Sequence, residues 1–477
     1  MTEQFDKVYV AGDTKPAGFL KVIAPYDDKL LAEVATANTV HIEKALSVAY
    51  SLYRNRKTWL PLAKRIEILS NLIALMQEQH DALSMGAAAE GGKPLQDSRV
   101  EVTRAIDGIR ICIETLRTDA GHVIPMQFNA ASANRIAFTQ HEPIGVVVAI
   151  SAFNHPVNLI IHQVAAAVAA GCPVIVKPAS NTPLSCLRIV KLLYQAGLPE
   201  EWCQALVLQD NSLAGQLASD SRIGFLSFIG SAKVGWMLRS QLAPGARCSL
   251  EHGGVAPVIV AEDADVNNAV PLLAKGGFYH AGQVCVSVQR IFVHEKIISD
   301  LANKLASYVS KMVVGDPTLL ETEIGPLIRH AEVERVDSWV KEAVHAGASL
   351  LCGGEVLSAS CYSGTVLVDP PVDVRVSTQE VFGPVVCLYR YSDIDSAILR
   401  ANSLPFSFQG AVFTRDIERM LYVYQNLDAS AVMVNDHTAF RVDGMPFAGL
   451  RQSGLGVGGI PYTIRDMQIE KMLVIRN

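Results

Sequence analysis

From Ile144 onward, short apolar runs alternate with helical stretches, and this alternation constrains the fold more than any other feature of the chain. Val146–Ile150 is continuous and rich in β-branched residues, as suits a strand covered on both faces. A helix is expected from there to Ala170, stopped by Gly171 at a left-handed cap. Residues 174–176 form the next strand and 184–196 the next helix, stopped by Gly197. Residues 205–208 and 225–228 read as further strands, with a short helix between them from about Ser212. Strands alternating with helices of about ten or more residues predict a parallel, doubly wound α/β sheet. Ligands of such sheets bind beyond the carboxyl ends of the strands, and Lys177, Gly230 and Glu251 all fall at or just past such an end.

With 477 residues, the chain is too long for one simple core, so two or three subdomains are expected. Before the sheet, amphipathic helices are predicted over roughly 40–53, 63–83 and 94–116. Between Val123 and Gln140, the alternation in Gln127-Phe128-Asn129 and Arg135-Ile136-Ala137-Phe138 predicts a strand pair extending from the body. After Gly254 a second α/β region is expected, with a helix near 265–276, a cysteine loop and a strand at 290–293. Helices near 299–313 and 332–346 follow, and residues 468–475 are again strand-like.

Composition excludes several function classes. Half the residues are apolar and only 18% are charged, which fits a well-buried globular protein and not a disordered one. A net charge of -6 without a basic run gives nucleic-acid binding no support. The most apolar region, 146–176, is interrupted by Asn154, His155, Pro156, Asn158, His162, Gln163 and Pro173, so a clean membrane span of about twenty residues is not available. The N-terminus lacks the basic start and apolar core of a signal peptide, and a soluble, cytoplasmic protein is expected. Nine scattered cysteines without CxxC spacing fit reduced thiols, and twelve histidines without HExxH give no metal site.

One of those cysteines is set apart. Cys285 closes Gly282-Gln283-Val284-Cys285, just after a glycine turn. A free cysteine in an apolar segment is ordinarily a small core residue. Here other segments supply what a nucleophile needs: Asn154 in Phe153-Asn154-His155-Pro156, Glu251 in Leu250-Glu251-His252-Gly253-Gly254, and Lys177 in Val176-Lys177-Pro178-Ala179. Taken together and in this order, they resemble the aldehyde dehydrogenase superfamily, over nearly the whole chain.

That resemblance implies a Rossmann-like doubly wound cofactor domain, a second α/β catalytic domain and a small β extension for oligomerisation. The expected boundaries are 1–121 and 144–252 for cofactor binding, 253–447 for catalysis, and 122–143 with 460–477 for contacts in a homodimer or homotetramer. It also implies a mechanism. A thiol attacks a carbonyl as thiolate, and with an ordinary pKa of about 8.5 it must be activated, one route being the positive ring of a cofactor. The oxyanion formed would be held by the Asn154 amide and the Cys285 backbone N–H. Hydride would leave to a nicotinamide, and Glu251, its pKa raised in an apolar site, would activate water against the thioester.

The chain has no GxGxxG fingerprint. Gly230 and Ser231 in Phe228-Ile229-Gly230-Ser231-Ala232-Lys233 open a helix and resemble the family's phosphate-contacting turn. Lys177 resembles the lysine that holds the adenosine ribose, and Glu380, with Phe382 beside it in Gln379-Glu380-Val381-Phe382-Gly383-Pro384, the glutamate that holds the nicotinamide ribose. Ser180 departs from the glutamate that many NAD-preferring members carry three residues after the lysine. A carboxylate there would repel a 2′-phosphate, so serine favours NADP or dual use of NAD and NADP. Arg104, His155, Arg290 and Arg441 resemble substrate positions in branches acting on small polar or anionic aldehydes, of the lactaldehyde, semialdehyde, phospho- or phosphono-aldehyde type. Two other readings stay open at this point: a CoA-acylating dehydrogenase or acyl reductase on the same scaffold, and a non-catalytic binding protein.

Overall fold

A computed structural model describes residues 5–12 and 15–476. The expected parallel sheet forms from Val146–Ile150, Val174–Lys177, Cys203–Ala205, Ile223–Ile229 and Arg247–Glu251, with Gly454–Leu455 antiparallel to the last of these. Val146–Ile150 lies between Ile223–Ile229 and Val174–Lys177, and all of its residues are buried. Strand order reverses there, so the loops leaving these strands run to opposite sides and open a crevice at their carboxyl ends.

Helices Thr39–Arg54 and Leu95–Thr118 match the amphipathic stretches in the sequence. The single helix expected over 63–83 is two, Leu62–Glu78 and His80–Gly91. The chain turns at Gln79 so that Ile68, Leu69, Leu72 and Met76 on one helix, and Leu83, Ala87 and Ala88 on the other, can all be buried. The helix expected to end at Ala170 does end there, at Gly171 with φ 82, but its middle, Ile161–Ala165, is a π turn. The wider turn directs His162 to Asp443 and the Gln163 side chain to the carbonyl oxygens of Ile150 and Ser227.

A second sheet runs Ser349–Cys352, Thr365–Val368, Val385–Tyr391, Arg290–His294, Pro257–Val260, Gln409–Phe413 and Ala431–Val434, parallel except for its first strand. A third, antiparallel sheet joins Gln468–Arg476 to Arg135–Pro143 and Val123–Ile124. Gln127-Phe128-Asn129 lies outside it, in a turn where the Asn129 side chain accepts the Ser132 N–H at 2.9 Å. A local side-chain bond of this kind competes directly with strand pairing. Among the described residues, no helix is long and apolar enough to cross a membrane.

The segment carrying Cys285 departs most from regular backbone. After helix Val266–Phe278, three consecutive residues, His280, Ala281 and Gly282, take φ values of 49, 54 and 70. For the two with side chains this costs on the order of 1–3 kcal/mol each. Gln283 holds the bend: its side chain donates to the carbonyls of His280 and Pro326 and accepts the Ile328 N–H at 3.0 Å. A Cβ on Gly282 would stand 2.1 Å from the Gly383 carbonyl oxygen, whereas one on Gly245, also left-handed at φ 89, would meet nothing within 4 Å. Chemical denaturation should therefore show Gly282→Ala losing clearly more stability than Gly245→Ala, with turnover lost only in the former; equal costs would refute the packing account.

Candidate active site

Where the two large sheets face each other, a cavity of about 680 Å³ is lined by residues of both. Cys285 reaches it from the bent loop and is only partly buried. Burial, reinforced by the Glu251 carboxylate, pushes its thiol up to about 12. The protein's own groups therefore do not lower this thiol; only nearby Arg441 among the larger influences favours the thiolate through charge.

Asn154, buried at the end of the crevice loop, donates from Nδ2 to the Gln283 carbonyl at 2.9 Å. One amide hydrogen is thus fixed on the loop of Cys285, and the second remains for a ligand. The Asn154 loop is anchored from behind by Glu101, whose Oε1 accepts the N–H groups of Val157 and Asn158 at 2.8 and 2.9 Å. Glu101 pairs in turn with fully buried Lys93 at 2.5 Å. Sequence reasoning missed this pair; the available signal was a carboxylate on the apolar stripe of helix Leu95–Thr118, between positions that bury Ser98 and Val102.

Glu251 ends its strand and faces the same cavity, and burial raises its carboxyl while Arg441 opposes the shift. A Cβ on Gly458 would come within 2.2 Å of Glu251 Oε1, so glycine there leaves room for the carboxylate. Toward the cofactor-side sheet, Lys177, Ser180, Gly230 and Ser231 line the cavity. Burial pushes the Lys177 amine down to about 8, and it donates to the Pro178 carbonyl at 3.3 Å. Ser180 Oγ meets Asn211 Oδ1 at 3.4 Å, and Ser231 stands at the cap of helix Ala232–Ser240 without a side-chain cap bond. Glu380 accepts the Gly254 N–H at 3.2 Å, and burial pushes its carboxyl up to about 8. Phe382 packs edge-on against Phe153 with ring centres 5.9 Å apart.

At the far end, Arg104 binds Asp443 through both Nε and Nη2, at 3.0 and 2.8 Å. Asn158 and His162 also donate to or share a proton with Asp443, at 3.1 and 2.7 Å, and against the burial that would raise it His162 and Arg104 hold its carboxyl far below the usual range. Arg441 lies over the Phe447 ring and lines the cavity, but its buried Nε finds no hydrogen-bond partner. His155 Nε2 lies 3.0 Å from the Tyr279 hydroxyl.

Arg290 corrects the sequence expectation, because it does not reach this cavity. It opens the strand Arg290–His294, is buried, and donates to the carbonyls of Arg400 and Ala401 at 2.7 and 3.4 Å. Those carbonyls end helix Ile394–Ala401, where the helix dipole attracts a cation. Nearness to Cys285 in sequence was therefore misleading: the strand carries Arg290 away from the loop.

Comparison with known proteins bears on this geometry. A family model described as the aldehyde dehydrogenase family matches residues 9–473. The chain is 36% identical over 469 residues to a 3-sulfolactaldehyde dehydrogenase of Priestia megaterium, covering 98% of this chain and 97% of that protein. It superposes with a TM-score of 0.95 and 32% identity on aldehyde dehydrogenase 21 of Physcomitrella patens in complex with the reaction product succinate, covering 100% of this chain and 99% of the other. A glyceraldehyde-3-phosphate dehydrogenase of Methanocaldococcus jannaschii complexed with NADP gives 0.91 and 33%, with 96% and 99% covered. The resemblance borne by Cys285, Glu251, Asn154 and Lys177 thus extends to the whole chain, which belongs to the aldehyde dehydrogenase family.

Proposed function

We propose that this enzyme oxidises a small polar aldehyde carrying an anionic tail to the carboxylic acid, with NADP or NAD as cofactor. The observation that carries the reading is Arg441, a nearly buried guanidinium lining the cavity of Cys285, whose Nε makes no hydrogen bond and stands 4.0 Å from the Asp443 carboxylate. A buried donor without a partner costs about 1–3 kcal/mol, and more if charged, which an anionic ligand would relieve. Arg104, although bound to Asp443, lines the same end and adds positive charge. Relatives named for 3-sulfolactaldehyde, glyceraldehyde 3-phosphate and bound succinate support this chemistry.

In this reading the thiol proton of Cys285 passes to bulk water, and the thiolate sulfur adds to the carbonyl carbon. The second Asn154 N–H and the Cys285 backbone N–H hold the oxyanion of the thiohemiacetal. A nicotinamide cofactor, when bound, would supply the acceptor for the hydride that the collapsing oxyanion expels. Glu251 then deprotonates the water that opens the Cys285 thioester. A carboxyl raised by burial is a stronger base than an exposed one, and it acts only above its pKa. An acyl transfer to CoA would not need this base, so its presence favours hydrolysis.

The cofactor's donors and acceptors fit the residues present. Lys177, with a carbonyl as its hydrogen-bond partner, and Ser180 would hold the adenosine ribose or its 2′-phosphate, Gly230 and Ser231 the pyrophosphate, and Glu380 with Phe382 the nicotinamide ribose. Residues 1–121 and 144–252 then form the cofactor domain and 253–447 the catalytic domain. Segments 122–143 and 460–477 would join copies in a homodimer or homotetramer. Their exposed apolar residues, including Ile136, Met472, Leu473 and Val474, support that role.

Three outcomes are expected. Glu251→Gln should give a burst of reduced cofactor near one per site, then steady turnover lowered roughly 10²–10⁴-fold, while the parent rate rises with pH as the base ionises; unchanged steady turnover would exclude Glu251 as the base. Arg441→Leu should raise KM for succinic semialdehyde by at least about tenfold, the equivalent of one charged hydrogen bond, and that for propanal far less; equal effects would count against an anion site. Ser180→Glu should lower kcat/KM with NADP by about tenfold or more relative to NAD through charge repulsion, and an unmoved ratio would remove Ser180 from the 2′-phosphate site.

A further inference from the structure

Besides Asn154 and the arginines, the cavity is lined by a polar pair with no part in the chemistry above. His155 Nε2 and the Tyr279 hydroxyl are 3.0 Å apart, with ring centres at 5.9 Å, and both residues line the cavity. We infer that this pair recognises a hydroxyl on the carbon next to the aldehyde, so that the substrates are 2-hydroxyaldehydes. The inference rests on the cavity being the aldehyde site, as proposed above, and narrows its substrate class.

Position supports it first. His155 directly follows Asn154, so the Cα atoms of the two residues lie about 3.8 Å apart. Tyr279 and Cys285 pack against the same apolar cluster of Val284, Val286, Phe408 and Phe447. In the proposed pose, with the carbonyl carbon on Cys285 and its oxygen on Asn154, the next carbon lies against this pair. The remaining chain then extends toward Arg441 and Arg104.

Hydrogen-bond capacity supports it next. Burial, then the charges of Lys93, Arg104, His280 and Arg441, hold His155 neutral, and burial keeps Tyr279 a phenol. A neutral imidazole offers one donor and one acceptor, and a phenol one donor and two lone pairs. Their mutual bond uses one donor and one acceptor, and no other hydrogen bond to either side chain is made among the described residues. A substrate hydroxyl can accept the phenol O–H when His155 Nε2 is the donor of the pair, or donate to a free lone pair of the phenol oxygen when it is not. An aliphatic methylene can do neither.

The pair is also rigid. The Lys93 and Lys275 ammonium groups lie 5.8 and 4.9 Å from the Tyr279 ring centre, and Lys275 is itself fixed on Asp97 at 2.5 Å. Because both partners are uncharged, they distinguish a hydroxyl from a hydrogen without adding to the anion site. A built polar site that loses its partner rejects the deoxy analogue more strongly than an apolar pocket rejects a methylene.

The test crosses two substrate properties with two variants. Propanal, lactaldehyde, succinic semialdehyde and its derivative hydroxylated next to the aldehyde are compared by kcat/KM. In the parent, each hydroxylated member should be favoured by about tenfold or more, one net hydrogen bond. Tyr279→Phe, which keeps the ring between the two lysines, should bring both ratios close to one. Arg441→Leu should lower both anionic members together and keep the hydroxyl preference. Should Tyr279→Phe fold poorly, product inhibition of the parent gives the same answer, with lactate binding more tightly than propanoate. A parent that oxidises all four without hydroxyl preference, a preference that survives Tyr279→Phe, or equal inhibition by the two acids would overturn the inference. Failure to oxidise any of the four would instead overturn the aldehyde reading beneath it.

Discussion

The bond from the Asn154 amide to the Gln283 carbonyl spans the gap between the two halves of the molecule. One partner sits on a loop leaving the first parallel sheet, and the other is two residues from Cys285 on a loop of the second. Everything the cavity can do depends on these loops keeping a fixed distance. A hydrogen bond between neutral groups is worth only about 0.5–1.5 kcal/mol net, too little to hold two sheets together. It works as a locator because each loop is already anchored: Gln283 by its own side chain on Pro326 and Ile328, Asn154 by Glu101 behind it.

Those anchors are unusually charged for a protein interior. Lys93 and Glu101 are fully buried, and Asp443 gathers Arg104, Asn158 and His162 around one carboxylate. Desolvating such groups can cost more than their attraction returns, so they are weak evidence for stability. Their value here is directional. Glu101 orients two successive backbone N–H groups, and Asp443 fixes both Nε and Nη2 of Arg104, so the walls of the cavity cannot rotate independently.

The catalytic candidates were legible because they stand at strand ends. Lys177 closes a continuous apolar run and Gly230 follows one, so the pattern that predicted the sheet also placed them at its crevice, whereas Glu251 ends the mixed run Arg247–Glu251 and was marked by the glycines that follow it. Cys285 and Asn154 were legible by composition, each a polar residue beside a turn signal. Arg290 misled because linear distance says nothing about which way a following strand carries its side chain. Most strands of the second sheet, such as Pro257–Val260 and Gln409–Phe413, are too short and uniformly apolar to announce themselves. Glu101 and Lys93 were hidden for a different reason: their partners are backbone groups and each other, contacts that only the folded chain brings together.

The π turn at Ile161–Ala165 bears on how this enzyme could change over time. It stores one more residue than a regular helix of the same rise would need. Removing one residue would let the segment close as a regular α-helix with its flanks kept in place, but would take away the wider turn that points His162 at Asp443. His162 would leave the Asp443 carboxylate, and Arg104 would lose a neighbour that shares its anchor. A single codon lost far from the nucleophile could thus retune which molecules the cavity accepts, with the sulfur chemistry itself left in place.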